Sequence, residues 1–272
     1  MNSLCHPDDV RSAFLVACHA ELQALKPGNV HVHAPGHDMQ VWHFEQSAHA
    51  AAPWISECSL KVGERVWKAM EASFAVAGCN TNLGILLLAA PLARAADTAL
   101  SGPHLRDRLS QVLEELDLED AHFAFMAIAL ANPAGLGRVD VEDVAKPPTM
   151  TLRAAMALAA GRDRISRAYV TDYQDVFELG LPRLIEARRV AAAETLAIST
   201  LHMAYLAAFP DSHIMRKHGR ETAEAVRAEA MSLRDLWDPV VTPEALGALT
   251  DLDTSLKARG VTGSSAPVGD PF

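Results

Sequence analysis

The residues best suited to chemistry lie in five stretches. From Phe14, a helical stripe runs through Cys18, Glu21 and Leu25 at spacings of +4, +7 and +11, so Glu21 shares a face with apolar neighbours. A carboxylate buried there needs a partner. An Arg or Lys on another helix would serve, and so would a metal or a developing positive charge.

The loop that follows reads "KPGNVHVHAPGHDM" (26–39). Two Pro-Gly turns flank an extended piece, Asn29 to His33. Alternation places His31 and His33 on one face, with His37 and Asp38 close by in sequence. Imidazole and carboxylate suit several transition metals. A backbone-rich loop that presents Lys26 and Asp38 to a ligand suits the pattern better, since the spacing matches no defined ligand motif.

In "CNTNLG" (79–84), Asn80, Thr81 and Asn82 are each competent helix caps. One cap needs one side chain, and here there are three, with Gly84 behind them to allow close approach. The helix that starts there offers free N–H groups and a positive dipole end, which suit phosphate. Cap and phosphate mouth both remain open.

The stretch "DRISRAYVTDYQDVFELGLP" (163–182) spaces Asp172, Asp175 and Glu178 three apart and Tyr169 and Tyr173 four apart. Its carboxylates could hold Mg2+, which takes oxygen ligands, or form a solvated acidic face. Gly180 and Pro182 read as a helix stop. In "FPDSHIMRKHG" (209–219), Asp211 and Ser212 begin a helix that ends in Arg216, Lys217 and His218. That cluster could neutralise phosphate or lie on the surface.

Helical periodicity must position all of these, because no convincing alternating strand is present. Pro7-Asp8-Asp9 opens a helix to about Leu25, and others are expected over roughly 40–58 and 60–77. An apolar helix from near Asn80 follows, then 104–116 and 119–131. A Pro/Gly-rich break spans 132–149, with helices beyond it over 150–160, 164–178, a long one at 183–208, 213–235 and 243–259. The expectation is an all-α fold: one domain over 1–260, built around a buried central helix, and a disordered tail at 261–272.

Composition agrees. Half of the 272 residues are apolar and only 6% are aromatic, a balance that favours packed helices. A net charge of −10 argues against nucleic acid as a partner. The four cysteines are scattered and suggest reduced thiols. The N-terminal residues lack a signal-peptide pattern, and the longest uncharged apolar run, Leu83 to Ala93, is too short for a bilayer. A cytoplasmic protein without a membrane partner is expected.

Taken in order, Glu21, "KPGNV", "HDM", Phe44, Ser47, Gly63, Met70, "NTNLG", and the pieces Asp-Ser-His-Ile and Arg-Lys-His-Gly at 211–219 resemble the triphosphoribosyl-dephospho-CoA synthase family over most of the chain. The resemblance implies an all-helical transferase that uses ATP and 3′-dephospho-CoA, a CoA-like acceptor, and releases adenine. It implies Glu21, Asp38 and His37 at the reacting ribose. Lys26, Gly28, Asn80, Thr81, Asn82, Gly84, Arg216 and Lys217 would hold nucleotide and phosphate, and Asp172, Glu178 and Asp211 would hold Mg2+. A homodimer is one admissible assembly.

There are departures. The family's Asn-Thr-His-Lys-Gly has Asn82 and Leu83 here, its Gly-Ala-Arg-Gly-Glu-type stretch is replaced by the Ser-Arg-x-Tyr-Val-Thr-Asp-Tyr segment, and its C-terminal Asn-Pro-Gly-Thr-Thr-Ala-Asp is reduced to "VTGSSAPVGD". Such features resemble the branch found in archaea and methylotrophic bacteria. That similarity implies an alternative substrate, a precursor of a one-carbon cofactor of methanopterin or methanofuran type. A non-catalytic helical binding protein is a further alternative. It predicts polar residues spread over the surface, whereas the transferase predicts that Glu21, Lys26, Asp38 and Asn80–Asn82 converge.

Overall fold

The computed structural model describes residues 6–32, 40–97, 102–131 and 147–261. Among them are fourteen α-helices and no β-strand, so the chain is all-α. The expected tail and most of the 132–149 break lie outside the described residues. The chain divides into two compact units. One takes the residues up to Ala17 and those from His43 to Tyr173; the other takes Cys18 to Trp42 and the chain from Gln174 onward.

The first unit holds the start of α1 (Pro7–Gln23) and nearly all of α2 (Val41–Ile55), with α3 (Val62–Ala77), α4 (Leu83–Ala96), α5 (Gly102–Glu115), α6 (Leu118–Ala131), α7 (Leu152–Ala159) and α8 (Arg164–Val170). Helix α4 is its centre and packs against α3, α5, α6 and α8. Its first ten residues carry no charge, and Leu86, Leu87 and Ala90 are wholly buried, as expected for a helix apolar all round. Pro91 sits inside it and cannot donate to the carbonyl four residues earlier. That carbonyl, on Leu87, accepts from the Tyr169 hydroxyl at 2.7 Å, and Leu88 O accepts from Tyr173 at 3.1 Å. The two tyrosines that stand four apart therefore repair a proline defect.

Helices α3 and α6 meet where Gly63 leaves no room for a Cβ against the Asp120 backbone, and the Gly63 N–H donates to Asp120 Oδ1 at 2.8 Å. Arg65 is fully buried. It donates to Ile55 O and Leu60 O and pairs with Asp97, tying the ends of α2 and α4 to α3.

The second unit contains the end of α1, a π-helical turn (Val176–Gly180), α9 (Leu181–Val190), α10 (Glu194–Ala208), α11 (Ser212–His218), α12 (Arg220–Ser232), α13 (Arg234–Trp237) and α14 (Leu246–Ala258). Leu196, Met203, Val226, Trp237, Leu249 and Leu256 form its core.

Several boundaries differ from expectation. The helix expected over 164–178 stops at Val170, because Asp172 and Tyr173 adopt left-handed φ values of 50° and 57°. Gly180 and Pro182 do not stop a helix; the π turn runs straight into α9, and Gly180 is required because a Cβ would overlap the Tyr205 hydroxyl. The long 183–208 helix is two, separated by extended Ala191 and Ala193. Gly219, at φ 87°, divides α11 from α12.

Candidate functional site

In the second unit the "KPGN" stretch forms a tight turn. The Asn29 N–H bonds back to Lys26 O at 2.9 Å, Pro27 occupies the first central position, and Gly28 the second with φ 85°. Proline and then a residue of positive φ define a type II turn, which is why glycine follows proline here. Three elements hold it. Leu22 O in α1 accepts from the Val32 N–H. Asp253 of α14 accepts from the Gly28 N–H at 2.9 Å. His202 of α10 meets Pro27 O at 3.2 Å.

The side chains around this turn are charged and buried or half-buried. Lys26, only 3% exposed, pairs with Glu21, a turn back in α1. Asp253, also 3% exposed, accepts from Lys257 at 2.9 Å and faces His31 Nε2 at 3.2 Å. Both cations and both carboxylates are thus paired, as burial requires. Glu21 finds its basic partner five residues along its own segment, not on another helix.

Burial pushes the Lys26 ammonium down to about 7, and the positive Lys257 adds to the effect; the Glu21 carboxylate opposes it. For Asp253, burial alone would raise the carboxyl, but donation from His31, Lys257 and the Gly28 N–H outweighs it and the net shift is down. His31 is lowered, chiefly by burial against support from Asp253. His202 falls to about 3 through burial and the charge on Lys26. It is therefore neutral near pH 7. Since Pro27 O can only accept, His202 Nε2 carries the hydrogen and Nδ1 is the basic nitrogen.

In the first unit, the α4 mouth answers the question of three polar residues for one cap. Asn80 supplies the cap, its Oδ1 accepting from the Leu83 N–H at 3.1 Å. Thr81 and Asn82 turn inward. The Thr81 hydroxyl donates to Ser47 Oγ at 2.8 Å, the Asn82 amide to Ser73 Oγ at 3.0 Å, and Ser73 Oγ to Ser47 O at 3.2 Å. Asn82 is 5% exposed and its Oδ1 has no partner. Gly84 is buried beside them.

The remaining expected residues have local partners. Asp172 takes Arg153 at 3.2 Å and Ser110 at 3.1 Å. Glu178 is exposed and accepts from Gln174. Asp211 caps α11 through the His213 and Ile214 N–H groups. Arg216, in the last turn of α11, reaches His213, and Lys217 is exposed. Among the described residues no three His, Cys, Asp or Glu side chains gather so as to hold a metal ion. His33, His37 and Asp38 lie outside the described residues, and His31 is engaged with Asp253. Cys18, Cys58 and Cys79 are free thiols, and no described helix is long and apolar enough to cross a membrane.

Asp253, Lys257 and His202 were not expected from sequence. For Asp253 a signal exists: it stands among Leu249, Leu252 and Leu256 on the buried face of α14, the same carboxylate-in-a-stripe pattern that marks Glu21. For His202 there is none, because α10 is buried nearly all round.

The family model for CitG, ATP:dephospho-CoA triphosphoribosyl transferase, matches residues 7–267. A crystal structure from Archaeoglobus fulgidus, assigned as a triphosphoribosyl-dephospho-CoA synthase, superposes with a TM-score of 0.60 over 80% of this chain and 89% of that one, at 23% identity; that likeness speaks for the fold. No curated protein matches the sequence. The family match over nearly the whole length is decisive: this chain belongs to the CitG family of ATP:dephospho-CoA triphosphoribosyl transferases.

Proposed function

We propose that this enzyme moves the triphosphoribosyl group of ATP onto a ribose hydroxyl of 3′-dephospho-CoA, with loss of adenine. The C1′–N9 bond breaks with its electron pair leaving on adenine, a C1′–O bond forms, and the hydroxyl proton passes to the protein while adenine is protonated. The observation that carries the reading is the pair of half-buried Glu21 and buried Lys26 on its clamped turn, in a chain matched to this family from residue 7 to 267.

Glu21 and Asp38 are the carboxylates proposed to stabilise the oxocarbenium-like ribose, with His37 or Asp38 taking the hydroxyl proton. Lys26, Gly28, Asn80, Thr81, Asn82 and Gly84 are proposed to receive phosphate, with Arg216 and Lys217 in reserve. The described residues do not form a ready cation cage, Asp172, Glu178 and Asp211 included. Mg2+ would then draw much of its oxygen shell from the triphosphate itself, and no step is assigned to it. Residues 1–260 are proposed to act as one domain, in the cytoplasm.

One observation favours a second reading, in which the acceptor belongs to one-carbon cofactor assembly. Leu83 is 1% exposed, so the position that carries lysine in the family is here part of the apolar core.

Chromatographic detection of adenine, from ATP and Mg2+ with and without dephospho-CoA, tests both. Adenine that needs the acceptor and disappears in Glu21→Gln and Asp38→Asn supports the transferase. ATP binding without adenine turns the search to one-carbon precursors. Absence of nucleotide binding would overturn both readings.

A further inference from the structure

The hairpin of α7 and α8 has an unusual charge. Residues 152–170 carry four arginines, Arg153, Arg162, Arg164 and Arg167, against one acid, Asp163, in a chain whose net charge is −10. The single acid is engaged at the N-cap of α8, where it accepts from the Ser166 N–H at 2.8 Å. Arg153 is neutralised by Asp172 and approaches Glu114. Arg162 is exposed.

Arg167 is different. It is half-buried, and its Nε is closed off from solvent with no acceptor. Other described arginines that are not fully exposed are engaged: Arg65 with Asp97, Arg183 with Asp238, Arg227 with Glu224, and Arg106 and Arg164 with further groups. Among the described arginines, Arg167 alone combines partial burial with a guanidinium that makes no hydrogen bond, ion pair or ring contact. A guanidinium cannot shed its proton to escape that cost. Arg164, one helical turn earlier on the same side of α8, brings a second guanidinium, and like charges at that spacing repel. An anion would give Arg167 the counter-charge it lacks. Phosphate matches best, because two of its oxygens can meet the two terminal nitrogens of the same guanidinium together.

We propose that Arg167, with Arg164 beside it, binds the phosphate chain of the triphosphate substrate. The identity of that ligand rests on the transferase reading above; the anion site itself does not.

Calorimetric titration with inorganic tripolyphosphate at low salt, on wild type, Arg167→Gln, Arg167→Lys and Arg162→Gln, tests the site. Loss of a bidentate charged contact should weaken binding at least about 10-fold in Arg167→Gln. Arg167→Lys should fall between, and Arg162→Gln should match wild type. With no anion present, Arg167→Gln should melt at or above the wild-type temperature, because an unpaired charge has been removed. Equal affinity in wild type and Arg167→Gln, an equal loss in Arg162→Gln, or a lower melting temperature for Arg167→Gln would each overturn the proposal. If wild type releases adenine and Arg167→Gln keeps its KM for ATP, the site falls and the transferase stands. If tripolyphosphate binding depends on Arg167 but no adenine forms, the site stands and the transferase falls.

Discussion

The backbone N–H of Gly28 donates to Oδ1 of Asp253 at 2.9 Å, across 225 residues of sequence. This bond fixes the turn that carries Lys26 to a helix near the other end of the chain. The same carboxylate also receives Lys257 and His31, so one side chain sets backbone geometry and local charge together. Asp253 is thus a positioning residue for Lys26, acting through the turn.

Asp253→Asn should destabilise the protein by about 2–3 kcal/mol, because a buried carboxylate that accepts from Lys257, His31 and the Gly28 N–H loses its charge. Urea unfolding measures this. Adding Lys257→Met should recover most of the loss, since an apolar side chain needs no partner there. A double variant as unstable as the single one would show that the Gly28 bond, and not the charge, is the dominant contribution.

Stability should fall as the solution is acidified from neutral pH. The folded-state value of His202 is about 3 against an ordinary 6.5, so the unfolded chain takes up the proton first. Its contribution is intact above about 6.5 and is lost progressively down to about 3. Asp253 is also lowered and adds a loss at the acid end, while His31, lowered too, acts in the same direction. Denaturant titrations at pH 7.5 and 4.5 should show a smaller difference for His202→Gln than for wild type.

Gly28→Ala should cost about 1–2 kcal/mol, the penalty for forcing a Cβ into left-handed backbone. Adenine release should fall with it, because the turn relaxes away from Asp253. Gly247→Ala is the control: nothing lies within 4 Å of a Cβ built there, and stability should not drop.

Tyr169→Phe should cost about 1–3 kcal/mol by leaving the Leu87 carbonyl with only the long 3.5 Å contact to the Tyr173 hydroxyl. In a Pro91→Ala background the backbone N–H of residue 91 can serve that carbonyl, and the same substitution should become much milder. A double-mutant cycle on unfolding free energies measures the coupling.

Much of this molecule is legible from sequence because its signals are local. The stripe through Phe14, Cys18, Glu21 and Leu25 marks α1 and its odd carboxylate, and the uncharged run after Asn82 marks the central helix. "KPGN" announces its turn by composition alone. What escapes is long-range or unmarked. No Gly or Pro signals the break at Ala191 to Ala193, where the backbone turns extended. Asp172 and Tyr173 enter left-handed backbone although neither type demands it. The clamp from Asp253 pairs residues that no periodicity connects, and the inward turn of Thr81 and Asn82 depends on Ser47 and Ser73 from two other helices.

The interleaving of the two units sets an order of events during synthesis. Residues 18–42 leave the ribosome well before the rest of their unit, which begins at Gln174, and α14 follows later still. The stretch from 43 to 173 can collapse on its own helices while Lys26 and its turn still lack the carboxylate and the imidazole that secure them. Closing so long a loop costs little more than closing a moderate one, because the entropy grows only with the logarithm of length. The delay is in time: the nascent chain carries its most polar turn unfinished until α14 emerges, and a chain released before Asp253 cannot complete it.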